Sequence, residues 1–224
     1  MLPKRFHRLK QVLARRQPDL TVLMEQVNKP HNFSAVLRSC DAVGVLEAHA
    51  VPPKGGLPLS RDSSAGTARW IRVHRHRNVE EAAGTLRKEG YRLVAAQPGP
   101  DAGSFRHEDY TVPTAFVMGA ELHGVSEGAL ELVDAMVTIP MVGMARSLNV
   151  SVAAALLLYE AQRQREAAGM YAESRLSGEE FDRILFEWAY PDFARRFRER
   201  GLPYPDLGED GEILGSLDPI RGPG

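Results

Sequence analysis

The sequence predicts an α/β layer fold built on a mainly parallel sheet, and three observations carry that expectation. Short apolar runs at residues 21–27, 45–51, 91–96, 114–118 and 135–139 have the length and composition of strands. Between them lie segments whose apolar residues recur at a helical period, and strands alternating with helices pair in parallel through crossovers. At 224 residues, with 43% hydrophobic and 25% charged side chains, the chain has the make-up of a soluble globular protein with one substantial core. No internal repeat points to a solenoid.

The elements follow in order. Phe6, Leu9, Val12 and Leu13 lie at helical spacing within residues 4–16, and Pro18 with Asp19 ends that helix. After the first strand comes a polar turn, residues 28–32. Phe33, Val36, Leu37, Cys40 and Val43 then repeat near 3.6, with Asn32 a candidate N-cap and Gly44 a stop. Residues 52–69, rich in proline, glycine and serine, read as loop. A short helix starts near Asn78 and ends at Gly90, and residues 105–110 are too polar to assign. Ser126 caps a helix through Leu130 and Val133. The loop 141–147 leads into a long helix, residues 149–168, stopped by Gly169. Its first half is almost wholly apolar, so it is either buried or sealed by a second subunit. Residues 181–197 form a further amphipathic stretch, and the Gly/Pro/Asp-rich end beyond 201 reads as poorly ordered.

A net charge of −1 hides three basic clusters. Lys4, Arg5, Arg8, Lys10, Arg15 and Arg16 precede the first acidic residue, Asp19. Arg61, Arg69, Arg72, Arg75 and Arg77 form the second, with His74 and His76 inside it, and Arg195, Arg196, Arg198 and Arg200 the third. Separated clusters in a near-neutral chain favour a polyanion surface, without distinguishing RNA from DNA. The two histidines read as surface or RNA-facing positions rather than metal ligands. Cys40, the single cysteine, excludes an internal disulfide and suits a buried site in a reducing, cytoplasmic compartment. There is no GxGxxG, no glycine-rich loop ending in Lys-Ser/Thr, no HExxH and no GxSxG, so the usual nucleotide, zinc and nucleophile-elbow classes are disfavoured. Neither a secretory leader nor a membrane span is expected.

In a parallel sheet, binding loops sit at the C-terminal strand ends, so the loops after residues 27, 118 and 139 are the places to search. Arg38 lies one residue off the apolar face of its helix, with Asn32 six residues before it: a solvated arginine and a cap, or a guanidinium gripping phosphate. Glu121 stands between Gly119 and Gly124, in a plain turn or a ligand-facing one. Ser147 and Asn149 either cap the long helix or wall a reactive pocket.

Asn32-Phe-Ser-Ala-Val-Leu-Arg38, Gly119-Ala-Glu-Leu-His-Gly124 and the run from Ile139 to Ser151 resemble, in order, the three motifs of the SPOUT superfamily of RNA 2'-O-methyltransferases. The similarity is greatest to the branch acting on guanosine 18 of the tRNA D-loop, and it extends from about residue 12 to 170. The resemblance implies a C-terminal deep trefoil knot that holds S-adenosyl-L-methionine, a homodimer, tRNA as partner, and no metal. It implies a basic helical extension (1–18), a catalytic domain (19–169) and a C-terminal helical extension with a flexible end (170–224). Carried over by motif, Asn32, Arg38, Glu121, Ser147 and Asn149 would form the catalytic pocket, while Ala96, Gly119, Ile139, Met144 and Leu148 would line the cofactor site. Leu122 stands where lysine is frequent and Arg146 where glutamine is common, departures that bear on substrate detail more than on reaction type. Alternatives are methylation of another tRNA position or of ribosomal RNA, or RNA binding without catalysis. Intact Asn32, Arg38, Glu121, Ser147 and Asn149 disfavour the last.

Overall fold

The computed structural model describes residues 1–53, 56, 69–99, 102–120 and 123–217. It divides into two compact units, Gln17–Met170 and a second formed by Met1–Arg16 with Tyr171–Gly224. Most of the loop expected at 52–69, together with Arg61, Glu121 and Leu122, lies outside the described residues.

In chain order the elements are α1 (Pro3–Leu13), β1 (Leu20–Glu25), α2 (Pro30–Ala42), β2 (Glu47–Val51), β3 (Arg72–Arg75), α3 (Val79–Lys88), β4 (Arg92–Ala96), β5 (Gly103–Ser104), β6 (Thr114–Met118), α4 (Glu127–Leu130), β7 (Ala135–Thr138), α5 (Val150–Ala167), α6 (Gly178–Ala189) and α7 (Pro191–Glu199). Among the described residues the larger unit holds a seven-stranded sheet in the order β3-β2-β1-β6-β4-β7-β5, with every pairing parallel. Alternate residues of the central strands enter opposite cores, as a two-residue side-chain period requires. Val22 and Met24 of β1 and Phe116 of β6 join Phe33 and Leu37 of α2 and Leu157 and Leu158 of α5. Leu23 and Val117 join Val79, Ala82 and Leu86 of α3 and Ala129 of α4 on the other face. Burial on both faces explains why these strands are continuous apolar runs rather than alternating ones.

All five strands expected from the sequence are present, and β3 and β5 are additions. β3, Arg-Val-His-Arg, lies at the sheet edge, where among the described residues one backbone side has no paired strand and charged side chains blunt further pairing. Its basic residues are partly neutralised: Arg72 Nη1 donates to Glu47 at 2.8 Å, and His74 Nε2 lies 2.7 Å from the other oxygen of Glu47. His76, expected at the surface, is buried, with Nε2 2.9 Å from Nδ1 of the buried His49. The parallel register explains this: His49 stands opposite His74, so the three rings share a face, and both outer rings stack on His49.

Burial, with repulsion from His74 and His76, pushes His49 down to about 3, and burial also lowers His76 despite the opposing Glu81. His49 is then neutral in the fold but protonates in the unfolded chain below about 6.5. Unfolding therefore takes up a proton in acid: the stability is complete above about pH 6.5 and is lost as pH falls from there toward 3. Melting curves between pH 7.5 and 5.5 should show a smaller drop for His49→Leu than for the wild type. Equal drops would mean that this cluster does not govern acid sensitivity.

In the second unit α6, α7 and the tail share a small aromatic core, and α1 packs against α6. Phe186 stacks on Tyr204 with centroids 4.7 Å apart and meets Phe197 edge-on. The amphipathic stretch 181–197 is two helices, because Pro191 cannot continue a helix and takes a first-turn position instead. Residues 201–217, expected to be poorly ordered, pack here: Leu207 and Ile213 form a bridge, and the Tyr190 hydroxyl donates to Gly211 O at 2.6 Å. Buried aromatic and aliphatic side chains within the polar tail account for the difference. Arg16 is withdrawn from the first basic cluster, being fully buried with its guanidinium 5.1 Å from the Trp188 ring centroid.

Candidate active site

The C-terminal ends of β4, β6 and β7 open onto a cleft of about 300 Å³ and a smaller cavity of about 80 Å³. Both are lined by Ala96, Pro98, Ser147, Leu148 and Ala153. The larger is completed mainly by Gln97, Gly119, His123 and Gly124, the smaller by Val137, Ile139, Arg146 and Leu157. Chain segments separated in sequence converge here because parallel strands deliver their following loops to one edge of the sheet.

The glycines of the second motif have separate tasks. A Cβ on Gly119 would overlap the carbonyl carbon and oxygen of Gly124 and the nitrogen of Val125, so only glycine permits this close backbone approach. Gly124 has φ +68, a left-handed conformation, and its N–H donates to Ala120 O at 2.8 Å to close the turn. The following chain is anchored by Glu25, buried at the end of β1. Its carboxylate accepts from the Ser126 N–H at 3.0 Å and the Ser126 hydroxyl at 2.6 Å. Ser126 Oγ in turn accepts from Ala129 N–H and caps α4, as its sequence position implies.

The first and third motifs meet through two asparagines. Asn149 Oδ1 accepts from the Ser151 N–H at 2.9 Å and its hydroxyl at 2.6 Å, so Asn149 caps α5. Its Nδ2 donates to Asn32 Oδ1 at 3.2 Å, across 117 positions of sequence. Asn149 thus caps α5 and links the third motif to the first, while its neighbours Ser147 and Leu148 line the cavities. Asn32 itself is not an N-cap: α2 begins earlier, at Pro30 after Lys29, and Asn32 is buried in the first turn. Arg38 lies on α2, exposed, with no hydrogen-bond or ion-pair partner for its guanidinium among the described residues.

Of the residues expected at a cofactor site, Ala96, Gly119 and Leu148 line the larger cleft, and Ile139 lines the smaller cavity. Met144 lines neither; the residue is 99% exposed. Ser147, expected among the catalytic set, lines both cavities. Glu121 falls outside the described residues. Gln97 and Glu25 carry no motif signal, since each acts on a turn far away in sequence. Among the described residues no cluster of His, Cys, Asp or Glu could hold a metal ion, and no helix is long and apolar enough to cross a membrane.

A parallel α/β sheet with a cleft walled by strand-end loops and a close-packed glycine turn defines a ligand-binding catalytic domain. Residues 19–159 match the SpoU rRNA Methylase family and residues 163–216 its C-terminal family, so the chain belongs to the SpoU methylases of the SPOUT superfamily. It is 48% identical over 220 residues to the tRNA (guanosine(18)-2'-O)-methyltransferase of Escherichia coli K12, covering 97% of this chain and 96% of that protein. The crystal structure of the Aquifex aeolicus TrmH/SpoU tRNA modifying enzyme superposes with a TM-score of 0.79 at 43% identity, over 84% of this chain and 96% of the other. The SpoU methyltransferase AviRb from Streptomyces viridochromogenes, solved in complex with the cofactor AdoMet, is 30% identical with a TM-score of 0.61, over 67% and 60% of the two chains. The all-parallel sheet and its flanking helices are consistent with the trefoil-knot fold of this family.

Proposed function

We propose that this chain transfers a methyl group from S-adenosyl-L-methionine to the ribose 2'-hydroxyl of guanosine 18 in the tRNA D-loop, acting as a cytoplasmic homodimer. The observation that carries the reading is the convergence of the three motif segments. Gly119 and Ser147 line a cleft of about 300 Å³, while Asn149 joins Asn32 on the helix that bears Arg38. The likeness to tRNA (guanosine-18) methyltransferases over nearly the whole chain supports the substrate.

The lining fits the cofactor. Val137, Ile139 and Leu157 give the smaller cavity apolar walls suited to a purine ring, and the glycine turn lets backbone groups approach the remainder. Bound there, S-adenosylmethionine supplies an already activated methyl group, so the protein's task is chiefly alignment of the 2'-oxygen. A guanidinium remains protonated and is a poor base. Arg38 would therefore orient the hydroxyl oxygen and offset its developing negative charge, with a substrate phosphate oxygen accepting the proton that the hydroxyl gives up. The Asn149–Asn32 hydrogen bond keeps α2, and with it Arg38, in register with the start of α5. Glu121 keeps, from its place in the second motif alone, the role of a hydrogen-bond acceptor.

Val152, Leu156 and Tyr159 form an exposed apolar stripe on α5, 46%, 40% and 52% accessible, which a second copy would cover. The exposed Arg5, Arg8 and Arg15, and those of α7, would extend the RNA footprint through phosphate contacts. The test is labelled methyl transfer to unmodified tRNA, followed by mapping of the modified nucleotide. Label on the 2'-oxygen of guanosine 18 is expected. Label at another nucleotide, or transfer to ribosomal RNA alone, would overturn the assignment of substrate, and no transfer to any RNA would overturn the activity.

A further inference from the structure

Gln97 belongs to none of the three motifs, yet it lines the larger cleft together with residues of the second and third. It follows β4 directly and lines the larger cleft. Its backbone N–H donates to Val137 O at 3.1 Å, which ties its position to the end of β7. Its side-chain Oε1 accepts from the Val125 N–H at 3.2 Å, next to the glycine turn. A backbone N–H can only donate, so this bond decides which end of the carboxamide faces the turn: the oxygen does. The amide lies so close over Gly124 that a Cβ there would overlap Oε1 and sit 3.2 Å from Nε2. The two N–H groups of Nε2 have no hydrogen-bond partner among the described residues.

Among the described residues the larger cleft has no lysine or arginine in its wall, and His123 is the one ionisable side chain. The smaller cavity has the apolar walls that suit a purine ring, leaving the oxygen-bearing parts of the cofactor to the larger cleft. Resting on the proposed function, which puts S-adenosylmethionine there, we infer that Gln97 is a cofactor-binding residue whose Nε2 donates to a cofactor oxygen, either a ribose hydroxyl or the carboxylate. One carboxamide then joins the glycine turn to the ligand: its oxygen holds the turn and its nitrogen reads the cofactor. Removing the donor should therefore weaken the cofactor without loosening the fold.

The experiment is calorimetric titration of the full chain with S-adenosylhomocysteine and with 5'-methylthioadenosine, which keeps the ribose but lacks the carboxylate. Gln97→Glu retains an acceptor for the Val125 N–H and loses both donors; Gln97→Met loses acceptor and donors together. Both variants should bind S-adenosylhomocysteine roughly tenfold more weakly. Gln97→Glu should keep the wild-type melting temperature, and its KM for S-adenosylmethionine should rise while kcat at saturation holds. Unchanged affinity for 5'-methylthioadenosine assigns the contact to the carboxylate, and a parallel loss assigns it to the ribose. A residue that merely braces the turn would leave Gln97→Glu unaffected, so wild-type affinity for both ligands in either variant overturns the inference. Failure of the wild type itself to bind S-adenosylhomocysteine would instead overturn the proposed function, a result that needs no variant.

Discussion

Replacing Arg38 with alanine is expected to lower methyl transfer by roughly 10²–10³-fold, the usual loss when one preorganised donor to a developing oxyanion is removed. The fold should not suffer. Arg38 is exposed and unpartnered among the described residues, so its removal orphans no buried group there. Single-turnover transfer from labelled S-adenosylmethionine would measure the loss, with light scattering and cofactor titration checking that assembly and binding persist. Lysine should restore little, because an ammonium is a point charge that cannot hold a hydroxyl and a phosphate in one planar fork. Wild-type turnover by Arg38→Ala would remove this residue from the chemistry.

The largest effect on stability is expected at Arg165, in the C-terminal half of α5. Its side chain is fully buried and its fork is saturated. Nε donates to Tyr110 O at 2.8 Å, Nη1 to Asp19 Oδ1 at 2.5 Å and Gln17 Oε1 at 3.2 Å, and Nη2 to Asp19 O at 3.1 Å and Val112 O at 3.0 Å. One side chain thus ties α5 to the chain entering β1 and to the chain entering β6. Arg165→Met would remove the guanidinium partner of the partly buried Asp19 carboxylate and one donor each from Tyr110 O, Asp19 O and Val112 O, at a cost of about 3–5 kcal/mol. Urea unfolding of the purified chain would measure it, and a shift under about 1 kcal/mol, the worth of a surface ion pair, would show the network to be dispensable.

These two arginines also show how far the sequence could be read. Arg38 stands beside an apolar face of clear helical period, and its exposure follows from that pattern. Arg165 lies where α5 turns polar and charged, a signature of a solvated helix end, yet it is buried because distant loops close over it. The central strands were legible because burial on both faces leaves continuous apolar runs, whereas β3, basic and at the edge, reads as a charge cluster. His76 was misplaced for the same reason: its partner His49 lies 27 residues away. Asn149 as a cap was legible, being a matter of two residues, whereas its bond to Asn32 was not.

By itself the sequence determined the α/β class, the five main strands, the helix caps at Ser126 and Asn149, and, through ordered motifs, the family. All of these rest on local propensity or on spacing within a segment. Only the tertiary structure decided that Gly119 must be glycine because Gly124 and Val125 press on it. It alone showed that Glu25 and Gln97 brace the turn after β6, that Arg72 and His74 of the basic edge strand meet Glu47, and that the tail to residue 217 packs on its own aromatic core. Each of these is a contact between segments far apart in the chain. Such contacts are set by the order in which strands enter the sheet, and no local pattern of residues encodes that order.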